Sequence, residues 1–90
     1  MVLAKITERF LITGRGTVVV INAKTELPIG RCLEATILYH NGKTETYDAW
    51  KECLLRRSKE PFEDEAFLIV DATMEQIPNG GSITLQIKDN

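Results

Sequence analysis

Residues 10–21 read FLITGRGTVVVI, a glycine-rich turn between two stretches of β-branched and aromatic residues. Gly14 and Gly16 can both adopt the positive φ angle that a tight reversal of the chain requires. The valines that follow stand next to one another without a polar break, which is typical of a strand. The segment therefore predicts a hairpin, with one strand over residues 4–13 and the next over residues 17–21.

Apolar and polar residues alternate with period two through most of the remaining chain, as half-buried strands require. The alternation predicts four more strands, over residues 31–40, 43–48, 66–73 and 82–88. We therefore predict an all-β fold, a small closed six-stranded antiparallel barrel. Closure is expected because it removes the exposed edges that an open sheet of this size would leave.

The inward faces of these strands supply the predicted core. In the third strand, Leu33, Ala35 and Ile37 fall on one face, and polar residues fall on the other. The full predicted core is Ile12, Val18, Val19, Leu33, Ala35, Ile37, Leu68, Val70, Ile83 and Leu85.

One segment departs from the strand pattern. Over residues 48–59, apolar and basic residues recur at helical spacing behind an Asp48 N-cap, namely Trp50, Cys53, Leu54 and Arg57. The sequence therefore predicts a short helix or helical turn there.

The composition is that of one globular domain, which we expect to span residues 1–90. The chain is 43 % hydrophobic and 27 % charged, with a net charge of −2, so no overall field draws it to nucleic acid or to an anionic membrane. No stretch approaches the roughly 18 apolar residues of a membrane span, and early charged residues interrupt any secretory signal. Cys32 and Cys53 form no CxxC pair and suit a reducing compartment. We therefore expect a cytoplasmic protein without a membrane partner.

The chain has few residues that are suited to catalysis. His40, the only histidine, stands beside a turn on the polar face of its strand, and both cysteines lie in apolar patterns. A nucleophile, a base and an orienting group cannot be assembled from these residues. We therefore expect no enzyme, and the alternative is a small enzyme that uses His40 or Cys53.

An acidic cluster and a basic cluster are adjacent in the chain. The acidic cluster is Glu60, Glu63, Asp64 and Glu65, and the basic cluster is Lys51, Arg56, Arg57 and Lys59. The acidic cluster has neither a histidine nor a calcium-loop pattern, so we expect no metal and no cofactor. The basic cluster, with Trp50 beside it, offers contacts to a phosphate backbone and a stacked base. A solvated helix face is the alternative, favoured by the acidic residues that follow.

The hairpin segment resembles the opening of the second, β-barrel domain of translational GTPases of the elongation factor Tu family. That domain carries an aromatic residue followed by an Ile-x-Gly-Arg-Gly-Thr-Val hairpin, which is matched here by Phe10 and residues 12–18. The later Gly30, the acidic-x-aromatic-basic element of residues 48–51 and the closing residues 78–83 are similar in the same order. The resemblance covers nearly the whole chain and implies a six-stranded antiparallel Greek-key barrel, in agreement with the strand count.

In that family the barrel holds the aminoacylated 3′ end of tRNA, so the resemblance also implies a binding site. Glu8 resembles the acidic pocket residue, Phe10 the aromatic residue and Val18 the hydrophobic wall. Asp48 and Lys51 resemble the acidic and basic residues against which the terminal adenine packs. The nucleotide-binding domain of the family is not in this chain, so GTP hydrolysis is not implied. Phe67 stands where the family has a glycine and is expected to fill space where a ligand would lie.

We therefore expect a non-catalytic binding module similar to that barrel domain, with a protein partner or an RNA end as its ligand. The acidic balance of the chain disfavours RNA, whereas the matched pocket residues favour it. A protein partner is slightly ahead. Barrels of this size also dimerise, and the sequence leaves the oligomeric state and the partner's identity open.

Overall fold

The computed structural model describes residues 2–52 and 64–88 of the chain. These residues form six strands and one 3-10 turn. In chain order they are β1 (Val2–Ile12), β2 (Gly16–Asn22), β3 (Leu33–Leu38), β4 (Thr44–Glu52), β5 (Asp64–Val70), the 3-10 turn (Met74–Gln76) and β6 (Ser82–Ile87). No helix in the described part of the chain is long and apolar enough to cross a membrane.

The six strands close into one barrel in the order β1-β2-β5-β4-β3-β6. Every neighbouring pair is antiparallel. After the consecutive strands β3, β4 and β5, strand β6 returns to lie beside β3, which is the Greek-key arrangement. The predicted all-β, closed six-stranded antiparallel Greek-key barrel is therefore confirmed.

The first hairpin depends on its two glycines, as the sequence predicts. Gly14 has a φ of 81° and Gly16 a φ of 146°, and the amide of Arg15 donates to the carbonyl of Ile12 at 3.0 Å. A Cβ atom on Gly16 would lie 2.1 Å from the carbonyl oxygen of Ile69 on β5. Gly16 therefore supplies both the backbone conformation and the close approach of two strands.

The helix predicted over residues 48–59 is wrong where the structure describes it. Residues 48–52 belong to β4, with Ala49 paired to Ile69 and Trp50 paired to Leu68 on β5. Ala49 is buried inside the barrel, whereas the side chain of Trp50 lies on its outer face. Cross-strand pairing with β5 therefore overrides the helical spacing, and residues 53–59 lie outside the described residues.

The core has two parts because β2 and β5 are covered on both faces. The main cluster fills the barrel and includes the fully buried Phe67. A second cluster on the outer face of these strands consists of Val18, Val20, Ala66 and Leu68. Eight of the predicted core residues are buried: Val18, Val19, Leu33, Ala35, Ile37, Leu68, Ile83 and Leu85.

The other two predicted core residues, Ile12 and Val70, are only partly buried, and Ile12 packs against the outer cluster. Each is the cross-strand partner of Gly16 on the outer face. Gly16 has no side chain to cover its neighbours, so both residues stay partly open to solvent.

Candidate functional site

A cleft of about 440 Å³ opens beside the middle of β1, where this strand separates from β6. One wall is strand β1, and the other is the segment that contains the 3-10 turn. The lining residues are Thr7, Glu8, Arg9, Phe10, Met74 and Asn79.

The cleft exists because β1 is longer than the ladder that joins it to β6. That ladder pairs only residues 2–5 of β1, and Ile6 extends it through hydrogen bonds with Gly80 and Gly81. The register of β1 on its other neighbour, β2, then shifts between Ile6 and Glu8. Such a bulge bends and twists its strand, so β1 diverges from the chain that leads into β6.

Arg9 holds the two walls of the cleft together. Its Nη1 atom donates to the main-chain carbonyl of Ile77 at 2.7 Å and also to that of Met74. Because the guanidinium is committed to these carbonyls, Arg9 is a structural tie between β1 and the 3-10 turn.

Three of the predicted site residues, Glu8, Phe10 and Val18, lie together next to this cleft. Phe10 is the cross-strand partner of Val18, and Glu8 is the partner of Val20. The side chain of Phe10 is 42 % exposed, whereas Val18 is buried beside it. Within residues 2–52 and 64–88 the carboxylate of Glu8 has no ion pair. The site therefore presents an accessible aromatic ring and a carboxylate on an apolar base.

Asp48 and Lys51 do not join these three residues. Both lie on β4, three strands away from β1 around the barrel, and their spacing of three residues puts them on opposite faces of the strand. Lys51 forms an ion pair with Glu65 at 2.6 Å and donates to the carbonyl of Leu27 at 2.9 Å. Asp48 forms an ion pair with Lys88 at 2.5 Å. The two residues thus bind within the chain and away from the cleft.

The pKa shifts agree with these pairings. Burial raises the pKa of the Glu65 carboxyl, but hydrogen bonds from Lys51 and from Thr25 outweigh burial, so its pKa lies below the ordinary value. The hydrogen bond to Asp48 raises the pKa of Lys88. Both shifts favour the charged forms of residues that hold the barrel together, and neither residue borders the cleft.

His40, Cys32 and Tyr47 are not among the described residues that line the cleft. His40 is exposed in the turn after β3, and Cys32 carries a free thiol. Burial, followed by a hydrogen bond to Glu45, raises the pKa of the Tyr47 hydroxyl, so that hydroxyl stays protonated at neutral pH. Cys53 lies outside the described residues.

The charged clusters offer no metal site in the described part of the chain. There, no three His, Cys, Asp or Glu side chains converge on a point that could hold a metal ion. Glu65 is engaged by Lys51. Asp64 is the first residue of β5, and the remaining members, Glu60, Glu63, Arg56, Arg57 and Lys59, lie outside the described residues.

Sequence reasoning identified one wall of the cleft and missed the other, which is formed by Met74 and Asn79. A signal for this wall was present, since Thr73 and Gln76 have the spacing of a helix-start motif. In the structure the amide of Thr73 donates to Oε1 of Gln76 at 2.9 Å. The motif predicts a turn at this position but not its approach to β1, which depends on Arg9.

Comparison of the chain with protein-family models, with curated proteins and with solved structures finds no match. Functional inference therefore rests on the barrel and its cleft.

Proposed function

We propose that this protein is a non-catalytic binding module of the cytoplasm that holds a protein partner at the cleft beside Glu8 and Phe10. The observation that carries the proposal is the exposed ring of Phe10 beside the carboxylate of Glu8, both on a strand of a closed barrel. Aromatic residues that are accessible and rigidly mounted are frequent anchors of protein interfaces. The resemblance to the elongation factor Tu barrel supports the same place, since Glu8, Phe10 and Val18 are matched there.

The charges around the cleft favour a protein over an RNA end. An RNA strand brings phosphates, which lysine and arginine neutralise. Of the residues that line the cleft, Arg9 is the only cation, and its guanidinium binds two main-chain carbonyls. Glu8 adds a carboxylate to the same lining, so these residues carry no excess of positive charge that would neutralise a phosphate backbone.

The non-catalytic part of the proposal follows from what borders the cleft. Among the described residues, its lining contains no histidine and no cysteine, and His40 is exposed in the turn after β3. Binding, rather than bond making or breaking, is the chemistry that these side chains suit.

Site-specific photo-crosslinking tests the proposal. A photoreactive phenylalanine analogue replaces Phe10 in one variant and Leu38 in a matched control, because these side chains are exposed to similar extents, 42 % and 46 %. We expect one protein to crosslink at position 10 and not at position 38. With that protein purified, Phe10→Ala should weaken binding at least about tenfold, as loss of an aromatic anchor does. Leu38→Ala should leave the affinity unchanged.

A titration with RNA tests the nucleic-acid alternative. Labelled protein is titrated at low salt with a short single-stranded RNA that ends in CCA, and amide shifts are followed. Saturable shifts at Glu8 and Phe10 would replace the protein partner by an RNA end. Equal crosslinking at positions 10 and 38 would remove the cleft as the binding site.

A further inference from the structure

Strand β1 has an open edge in an otherwise closed barrel. The strand is 11 residues long and pairs with β2 from Ile6 to Ile12. On its other side it pairs with β6 only over residues 2–5, and Ile6 adds the bonds to Gly80 and Gly81. From Thr7 onward, the described residues provide no strand on that side. The cleft runs along this open edge.

In an antiparallel ladder, backbone hydrogen bonds alternate between the two sides of a strand. This alternation shows which amides and carbonyls of β1 face the open edge. The carbonyl of Ile12 accepts from Arg15 inside the hairpin, so the backbone of Ile12 faces β2. Backbone groups of successive residues point to opposite sides of a strand. The amides and carbonyls of Arg9 and Leu11 therefore point away from β2, and the described residues give these four groups no backbone partner.

Two large apolar side chains lie on this edge, one on each face of the strand. Phe10 lies on the outer face, and the adjacent Leu11 lies on the opposite face and is 54 % exposed. An exposed strand edge flanked by large apolar side chains is a template for pairing with another chain. Glu8, also on this edge, lies two positions from Phe10 and therefore shares its face.

We propose that an extended segment of the partner protein adds a strand to β1, bonding antiparallel to the main chain of Arg9 and Leu11. This inference rests on the proposed function and specifies how the cleft holds its ligand. Strand addition derives affinity from main-chain hydrogen bonds and specificity from alternate side chains. Antiparallel pairing is the more stable and more frequent arrangement.

The face shared by Glu8 and Phe10 defines the ligand. Residues directly opposite one another across two strands contact through their side chains, and opposite charges there are favourable. The ligand thus carries an apolar residue opposite Phe10 and, two positions later, a lysine or arginine opposite Glu8. Its recognition pattern is apolar-x-basic, read from its N-terminus.

A peptide of defined register tests this inference. The probe is acetyl-Thr-Thr-Val-Thr-Lys-Thr-Thr-amide, in which Val is placed opposite Phe10 and Lys opposite Glu8. Amide hydrogen exchange and chemical shifts are measured on the full chain during titration. We expect saturable shifts at Phe10 and slowed exchange of the Arg9 and Leu11 amides. The peptide of reversed order, acetyl-Thr-Thr-Lys-Thr-Val-Thr-Thr-amide, has the same composition and should bind more weakly.

Backbone methylation separates strand addition from side-chain docking. Methylating the amide nitrogens of the second and fourth peptide residues removes the donors that face β1, and affinity should fall at least about tenfold. Methylating the third and fifth residues, which face away, should change affinity by no more than about twofold. Equal losses from the two peptides would overturn strand addition.

Charge reversal tests the register independently. Glu8→Lys should lose the lysine peptide and bind the peptide in which glutamate replaces that lysine, because the opposite pair is restored. Circular dichroism confirms that the variant keeps its strands. A variant that treats both peptides like the original chain would overturn the assigned register.

The other possible results of the peptide titration also test strand addition. If the probe shifts Phe10 but leaves exchange of the Arg9 and Leu11 amides unchanged, strand addition is wrong, while binding at the cleft stands. No shift at millimolar peptide also rejects strand addition, and the crosslinking experiment then judges the proposed function separately. Concentration-dependent protection of Arg9 and Leu11 without peptide, with a dimer by size-exclusion chromatography, would make a second copy the occupant.

Discussion

At Gly16, the backbone conformation and the packing of neighbouring strands both require a glycine. Its φ of 146° suits glycine, and its missing Cβ lets β2 approach the Ile69 carbonyl of β5. Next to it, the hydroxyl of Thr17 donates to the carbonyl of Ala72 at 2.9 Å and fixes the chain beyond β5. The turn glycine Gly14 also has a positive φ, but a Cβ there would meet nothing within 4 Å.

Alanine substitutions at the two glycines should therefore differ in cost. Gly14→Ala adds only the cost of a positive φ angle, which should lower the free energy of unfolding by about 1–2 kcal/mol. Gly16→Ala adds a clash with main-chain atoms, and we expect a loss of more than about 3 kcal/mol. Urea denaturation of both variants measures the difference. Equal losses would mean that β2 and β5 can move apart at no cost.

The ion pair of Lys51 and Glu65 should make stability depend on pH. The pKa of Glu65 is lowered in the folded chain, so its stabilising effect is present above the unfolded value of about 4.3 and is lost as the pH falls through the folded pKa. We expect the free energy of unfolding to fall between pH 7 and pH 3 by more in the original chain than in Glu65→Gln. Parallel pH profiles for the two proteins would contradict this role.

Removal of the cation tests the same pair at constant pH. The two side chains are only 17 % and 16 % exposed, so Lys51→Met leaves a carboxylate with little access to water. We expect a loss of about 1–3 kcal/mol at pH 7. Lys88→Met, which breaks the more exposed pair with Asp48, is the control and should cost less than about 1 kcal/mol.

The strands differ in how well the alternation of apolar and polar residues predicts them. Alternation predicts β3 and β6 well, because each has one face in the core and one in solvent. It predicts β4 poorly, since Trp50 is apolar on an outward face and mimics helical spacing. In β2 and β5 both faces are covered, so the sequence locates these strands but does not reveal two separate clusters.

The outer cluster should behave as an energetic unit distinct from the barrel interior. Val18 and Leu68 are cross-strand partners within it, whereas Ile83 belongs to the interior cluster. Leu68→Ala alone should cost about 2–5 kcal/mol. In double-mutant cycles, Val18→Ala and Leu68→Ala should couple by about 0.5–3 kcal/mol, and Leu68→Ala and Ile83→Val should add within about 0.5 kcal/mol. Strong coupling between Leu68 and Ile83 would indicate one continuous core.

Sequence patterns also predict only part of the candidate site. Glu8 and Phe10 follow from the family resemblance of the hairpin segment, and both lie on β1 beside that hairpin. Asp48 and Lys51 were grouped with them, although a strand separates their side chains onto opposite faces. The wall at Met74 was missed, since long-range bonds such as those of Arg9 bring it to β1. Local patterns therefore predict strands and turns, and contacts between distant segments decide the site.

For the whole molecule, the strand order sets the folding kinetics. Strand β1 must find β6 across most of the sequence, and β2 must find β5 across about half of it. Folds dominated by such distant pairings fold slowly, on a time scale of about milliseconds to seconds. Stopped-flow refolding should give relaxation times in this range, and the far-ultraviolet circular dichroism spectrum should be that of a β protein. Submillisecond refolding would contradict the dependence on distant pairing.

The short ladder between β1 and β6 also has a mechanical consequence. The strands are antiparallel, with Val2 opposite Leu85 at one end and Lys5 opposite Ser82 at the other. A pulling force applied through Val2 and Lys88 therefore loads the pairs one after another, like the teeth of a zipper. A force applied along β1 and β2 from opposite ends would load their seven-residue overlap, Ile6 to Ile12, at once in shear. Under tension, the short ladder between β1 and β6, next to the open edge of β1, should therefore break first.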